Sequence, residues 1–425
     1  MKQSAQAMNP ERRDHLKRIS VGLLGAAGAS LGVPAMAITG KGFSAQGLGR
    51  IAPALKAQME LNIFPGAVSL VAHKGKTVHF EAHGFQDAQK TVPMAKQSIF
   101  RLASMTKPIV TTAAMMLVEQ GKLRLNDPVS RWLPELKTMK VETSPGHDVD
   151  LVRPILVHDL MRHTAGFVYG GSTSSARIRK MYDELNIEAR VDDITAEQML
   201  KNLGQIPLAH QPGTFWEYSI SVDVLGLLIE RVADKSLDDV VRSLLLAPLN
   251  MNDTSWWVPA AKNTRLAECL DSDPLKVEML KSYRQSEDPK GKCYFKGGAG
   301  LVGTAQDYLQ FAQMMCNHGT LHGRRYLSPK TVEFMLSNHT VGMGGTTVGT
   351  TGPGYGFGIG FGVRLDEGLG WTAGSKGDAM WAGAWGTSFW IDPKEQLVGV
   401  LMAQAPSFRV PNRMLYKNLV YGAMI

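Results

Sequence analysis

Ser104 and Lys107 stand three residues apart in Arg101-Leu102-Ala103-Ser104-Met105-Thr106-Lys107-Pro108, just ahead of the apolar, Met-rich run from Ile109 to Val118. A serine hydroxyl is a poor nucleophile at neutral pH unless a base takes its proton. A lysine becomes that base when burial or nearby cations lower its pKa. If the run is a helix, positions three apart share one face, and the hydroxyl and amine point into the same space. Pro108 suits a first helical turn, where its missing N–H costs nothing. Ser104 then falls at a helix N-terminus, where backbone N–H groups and the dipole stabilise a developing oxyanion. The pair is a short signal, and a surface helix start with a solvated lysine has the same letters, so the rest of the chain has to supply context.

Two later patches offer partners. Pro212-Gly213-Thr214-Phe215-Trp216-Glu217-Tyr218-Ser219-Ile220 precedes an apolar helix beginning near Val222. A tyrosine in a tight loop beside a lysine can have its phenol pKa lowered, because the cation stabilises phenolate, and could take or relay the serine proton. The alternative is a tyrosine that packs a helix start. Trp381-Ala382-Gly383-Ala384-Trp385-Gly386-Thr387 leads into a strand that ends at Asp392-Pro393. Small residues there let a substrate approach the backbone, and a strand N–H facing the serine would be a second oxyanion donor. A glycine-rich strand start beside aromatic core reads equally well.

The elements that must hold these patches follow from periodicity. Leu48 to Leu61 has helical spacing and is broken by Phe64-Pro65-Gly66. Ala67–Ala72 and Thr77–Ala82 read as strands joined through Lys74-Gly75-Lys76, and the Ser104 helix stops at Gly121. From Asp127 helices dominate: Ile155 to Gly166, one beginning at Thr195, Val222 to Val232, Leu237 to Leu249, and Ala305 to Met315 with Thr304 as N-cap. Strand patterns return at Tyr355–Val363, Ser388–Ile391 and Leu397–Met402, and Leu415 to Met424 closes the chain as a helix. Strands at both ends with helices between them imply an α/β (α+β) architecture: one sheet built from 38–125 and 330–425, and a mainly helical insertion at 126–329.

The 425 residues are ample for a core, and the composition is that of a globular chain, 44% hydrophobic and 20% charged. The net charge of +8 includes +3 from the first 37 residues (Lys2, Arg12, Arg13, Lys17 and Arg18 against Glu11 and Asp14) and is otherwise diffuse, which argues against nucleic acid as a partner. Residues 1–37 read as an address. Arg12-Arg13-Asp14-His15-Leu16-Lys17 resembles a twin-arginine export signal, a weakly apolar stretch follows, and Ala35-Met36-Ala37 is a small-residue cleavage pattern. The expected destination is the periplasm or the exterior, with the twin-arginine machinery as the transient partner. Gly28-Ala29-Ser30-Leu31-Gly32 matches a nucleophile elbow but lies inside that segment, without the strand and helix the motif needs. Cys269, Cys293 and Cys316 show no metal spacing, although one disulfide is compatible with export. His79 and His83 sit in a strand pattern, where a separation of four is read as carrying no special meaning, so neither metal nor cofactor is expected.

Taken in order, the three patches resemble the serine β-lactamase-like superfamily, in its branch of class C β-lactamases and family VIII carboxylesterases. Ser104-Met105-Thr106-Lys107 matches Ser-x-x-Lys, Tyr218-Ser219-Ile220 stands at Tyr-x-Asn, and Trp381-Ala382-Gly383 stands where lactamases carry Lys-Thr-Gly and many esterases Trp-x-Gly. Leu160 to Gly166, Pro212-Gly213-Thr214, Gly300-Leu301-Val302 and Phe389 to Pro393 extend the likeness over roughly 48–404. The resemblance implies a β-lactamase/transpeptidase-like fold, an antiparallel sheet flanked by helices with an inserted helical domain. It also implies an acyl-enzyme on Ser104, proton transfer by Lys107 and Tyr218, an oxyanion hole from the N–H groups of Ser104 and Ala384, and a structural His163. Ile220 and Trp381 replace the asparagine and lysine that would hold an amide or a carboxylate. Their loss favours esters over β-lactams, since discrimination comes from hydrogen-bonding the group selected. Ile220, Trp381, Gly383, Phe167, Tyr169, Trp216 and Trp385 are the expected substrate contacts, the aromatic ones forming an apolar acyl pocket. The expected function is hydrolysis of small or medium carboxylic esters. A β-lactamase, D-Ala-D-Ala carboxypeptidase, amide hydrolase or acyltransferase is the enzymatic alternative, and a non-catalytic ligand-binding relative the other.

Overall fold

The computed structural model describes residues 42–188, 194–276 and 294–425. The expected export segment 1–37 and Cys293 lie outside the described residues.

A seven-stranded antiparallel sheet takes two strands from the N-terminal part, β1 (Gly66–His73) and β2 (Lys76–Gly84), and five from the C-terminal part. These are β3 (Tyr355–Phe357), β4 (Gly362–Arg364), β5 (Ala379–Ala382), β6 (Ser388–Asp392) and β7 (Leu397–Ala403). Their order is β3-β4-β5-β6-β7-β1-β2, so the first strand pairs with the last and β2 forms an edge. Strands from both ends of the chain thus meet in one sheet, in which β1 and β7 are buried along their whole length.

Neighbouring residues of a strand face opposite sides, and β6 shows what covers each. Phe389 packs on Tyr308 of the helix Ala305–Cys316, whereas Trp390 packs on Tyr416 and Tyr421 of the terminal helix Arg409–Tyr421. Gly399 has no side chain because the Trp390 indole fills that space; an added Cβ would come within 2.1 Å of it. Trp381 is paired with Phe389 and shares its face. Ser69 of β1 shares the Trp390 face, together with His79, Glu81 and His83 of β2.

The intervening segment is mainly helical, with a small hairpin of Lys140–Ser144 and His147–Asp150. The stretch Ile155 to Gly166 is not one helix. It is helical only over Val157–Met161, because His163 adopts φ +58° and Gly166 φ +88°. Asp159, fully buried, accepts hydrogen bonds from Arg153, Arg162, Thr164 and the Leu156 N–H, and folds that turn around itself. Leu237 to Leu249 likewise changes character, from α-helix at Leu237–Val241 to a π-turn at Arg242–Leu246. Cys269 and Cys316 are buried and free, so they do not pair with each other.

Candidate active site

Ser104 lies in the 3-10 turn Ala103–Met105, which runs directly into α1 (Thr106–Glu119). The turn is pinned on several sides. Leu102 N–H donates to the Leu301 carbonyl at 2.9 Å, Leu301 N–H to Thr106 Oγ1 at 3.0 Å, and the Tyr308 hydroxyl to the Met105 carbonyl at 2.9 Å. Ala103 is held at φ +45°, a conformation that costs an L-residue about 1 kcal/mol. These constraints fix the serine in space, where a free helix end would fray.

Lys107 is fully buried, and its Nζ reaches three oxygens: the Gly298 carbonyl at 2.7 Å, the Tyr169 hydroxyl at 3.0 Å and Ser104 Oγ at 3.3 Å. None of the three is charged. Burial therefore lowers the Lys107 pKa to about 8, against the opposing pull of Asp223. A neutral amine has two N–H bonds and one lone pair. The two shorter contacts use the N–H bonds, which leaves the lone pair for the serine proton.

Tyr218 donates from its hydroxyl to Ser104 Oγ at 2.7 Å, and its ring lies 4.7 Å from Lys107 Nζ. The expectation of a lowered phenol pKa is corrected here. Enclosure pushes it well up, more than its hydrogen bond to Ser104 and the nearby Trp381 indole N–H pull it down. In the resting site the phenol is thus a proton donor, and Lys107 is the group within reach of neutrality.

The loop carrying Tyr218 is seated on the turn organised by Asp159. Ala209, Gly213 and Glu217 donate their N–H groups to the carbonyls of Gly166, Thr164 and His163, and Ser219 N–H donates to His163 Nδ1 at 3.2 Å. Gly213 sits at φ +80°, a conformation that favours glycine, and a Cβ there would also displace the Arg153 guanidinium from its place. His163 is 1% exposed and its ring lies 4.8 Å from that of Tyr218. Burial, helped by Lys107, holds its pKa well below the usual range, so it is a neutral support.

The third patch reaches the serine through β5. Gly383 approaches the backbone so closely that a Cβ would sit 2.3 Å from the Leu102 carbonyl, and Thr387 Oγ1 donates to that same carbonyl at 3.2 Å. The glycine thus makes room for the chain of the nucleophile turn. Ala384 packs with Ala103, Trp385 and Cys269 beside Ser104. Among the described residues its N–H has no protein acceptor, so it is available to a ligand.

The expected aromatic pocket is assembled only in part. Tyr169 and Trp381 flank Tyr218, with ring centres 5.4 and 5.3 Å away. Trp216 packs behind them on His163 and Phe357, Trp385 lies beneath the Arg101 guanidinium, and Phe167 and Ile220 are buried. These four fill the space between elements, and Trp381, at 2% exposed, is as enclosed as they are. Sequence reasoning missed Gly298 and Asp223. Gly298 N–H donates to Asp223 Oδ1 at 3.1 Å, and a Cβ on Gly298 would collide with that carboxylate. The Gly297-Gly298-Ala299-Gly300 run was the visible trace of that close approach.

Residues 51–420 match the family described as Beta-lactamase. Protein Rv1367c of Mycobacterium tuberculosis is 33% identical over 358 residues, 81% of this chain and 87% of that protein. Esterase EstB of Burkholderia gladioli is 32% identical over 345 residues, 77% of this chain and 82% of that protein. Among solved structures, EstCE1, a hydrolase with promiscuous acyltransferase activity, superposes with a TM-score of 0.75 at 29% identity over 88% of this chain and 99% of its own.

Proposed function

The chain belongs to the Beta-lactamase family, and from that premise we propose that it is a serine ester hydrolase working through an acyl-enzyme on Ser104. The observation that carries this reading is the position of Ser104 Oγ between a buried lysine at 3.3 Å and a tyrosine hydroxyl at 2.7 Å. Neutral Lys107 takes the Ser104 proton as Oγ bonds to the ester carbonyl carbon. The N–H groups of Ser104 and Ala384 hold the resulting oxyanion. As the C–O bond to the alcohol breaks, the Tyr218 phenol protonates the leaving alkoxide and is itself reprotonated by Lys107. Water then repeats the sequence in reverse and frees the acid. An alcohol in place of water would yield acyl transfer, and EstCE1 carries both activities on this scaffold.

Two residues support an ester over a β-lactam. Ile220 and Trp381 are each 2% exposed and offer no cation and no side-chain amide to the site. The test pairs a short-chain p-nitrophenyl ester with a chromogenic cephalosporin on the full chain and on Ser104→Ala. Ester turnover lost in Ser104→Ala, together with labelling of only the parent chain by a fluorophosphonate, is expected. Fast cephalosporin turnover with negligible ester turnover would overturn the substrate assignment, and labelling retained in Ser104→Ala would overturn the nucleophile.

We also propose that residues 1–37 direct export, on the strength of Arg12-Arg13 and the Ala35-Met36-Ala37 pattern. Replacing both arginines with lysine is expected to leave the uncleaved chain in the cytoplasm, while export unaffected by that change would exclude the twin-arginine route.

A further inference from the structure

The sheet carries a second constellation on the face away from Ser104. On a strand, residues two apart share a face, so His79, Glu81 and His83 project from β2 in a row, which gives their spacing the meaning that the sequence reading denied it. Ser69 of β1 lies opposite Glu81 on the same face. One ring nitrogen from each histidine and a Glu81 oxygen all lie within 4.8 Å of one another.

A hydrogen-bonded triad does not account for this geometry. The Glu81 oxygens are 3.8 Å from His79 Nδ1 and 3.7 Å from His83 Nε2, beyond hydrogen-bond range. Two ligands on one tetrahedral zinc, each bonded at roughly 2.0–2.1 Å, are about 3.4 Å apart, close to those separations. Ser69 Oγ, fully buried, lies 2.7 Å from His79 Nε2, the ring nitrogen not facing Glu81, and can orient that imidazole from behind; its 3.0 Å contact to His83 Nε2 is one that a metal ion on that nitrogen would displace. The histidine side chains are nearly enclosed, at 4% and 10% exposure, whereas that of Glu81 is 51% exposed.

We propose that His79, Glu81 and His83 form a binding site for one divalent transition-metal ion of the zinc type, with the exposed carboxylate as its entry side. Two imidazoles and one carboxylate suit zinc, nickel or cobalt and not magnesium. Three protein ligands leave a fourth position for water. The ion would tie the edge strand together on the face opposite the nucleophile, and the inference is independent of the ester reading.

Untagged full chain, stripped with chelator, would be titrated calorimetrically with zinc and followed by visible absorption with cobalt. One high-affinity equivalent per chain is expected, with d–d bands of a low-symmetry cobalt site and a melting temperature that rises with zinc. Glu81→Gln, an exposed change that leaves the rings in place, is expected to weaken binding at least about tenfold, and His83→Gln to abolish the site. Ser69→Ala is expected to keep the stoichiometry. Absence of a saturable equivalent, affinity unchanged in both Glu81→Gln and His83→Gln, or an equal response to magnesium would overturn the proposal. Should His83→Gln fail to fold, the Glu81→Gln titration alone decides.

Discussion

The protein buries two lysines on opposite faces of one sheet, and their fates differ. Lys107 faces the Trp381 side and Lys417 the Trp390 side, each lodged among aromatic rings: Tyr218 and Tyr169 for the first, Tyr355, Trp390 and Tyr421 for the second. Lys417 donates to Asp378 Oδ2 at 2.9 Å, and Arg364 shares that carboxylate at 2.7 Å. Lys107 meets only a carbonyl and two hydroxyls. Burial lowers the pKa of both, but Asp378 in direct contact pulls Lys417 back toward its charged form, whereas Asp223 acts on Lys107 only through space. Burial alone does not make a base. Burial with neutral acceptors does, and burial with a carboxylate makes a structural ion pair.

The sharpest test of that contrast is activity. Lys107→Met is expected to cut ester turnover by about 10³- to 10⁴-fold while leaving the fold intact, measured as kcat/KM beside a melting curve. Lys417→Met should do the reverse. It leaves turnover per folded molecule near the parent value but lowers stability by about 3 kcal/mol in denaturant titration, because Asp378 loses one of its two cations in a dry site.

Lys107→Met should moreover raise stability, by about 1–3 kcal/mol at pH 7. Its amine binds a proton less readily folded, at about 8, than unfolded, at its ordinary value of 10.5. Folding therefore carries a penalty that is fully present below pH 8 and fades as pH rises toward 10.5, so the gain from the substitution should shrink over that window. A gain equal at pH 7 and pH 10.5 would contradict the assignment of the lowered pKa to Lys107.

The same titration should appear in catalysis. The neutral amine is the competent form, so kcat/KM is expected to rise with pH along a limb centred on about 8 and then level off. Asp223→Asn gives the smallest effect. Removing a negative charge that raises the Lys107 pKa should move the limb to lower pH with little loss of maximal rate, and a limb that stays in place would show that Asp223 does not reach the amine.

Much of this was legible beforehand because it rests on local pattern. The apolar runs Ala67–Ala72 and Leu397–Met402 announced two adjacent buried strands, Thr304 announced its helix, and Ser104, Lys107 and Tyr218 lay in recognisable surroundings. What failed was local in appearance but decided at a distance. Asp159 ended a helix that periodicity would have continued, since a buried carboxylate with two arginines outweighs helix propensity. Trp216 and Trp385 looked like pocket walls and became core, because whether an aromatic faces a cavity depends on what packs behind it.

The sequence by itself determined the candidate nucleophile and its neighbours in the chain: a serine and a lysine at helical spacing, a tyrosine ahead of an apolar helix, and strands at both ends. Only the tertiary structure decided which lysine has the lowered pKa a base needs and which phenol donates to the serine. A pKa is set by the charges and solvent surrounding a group. At Lys107 those surroundings come from Gly298, Tyr169 and Asp223, residues distant in the chain that the fold brings to one amine.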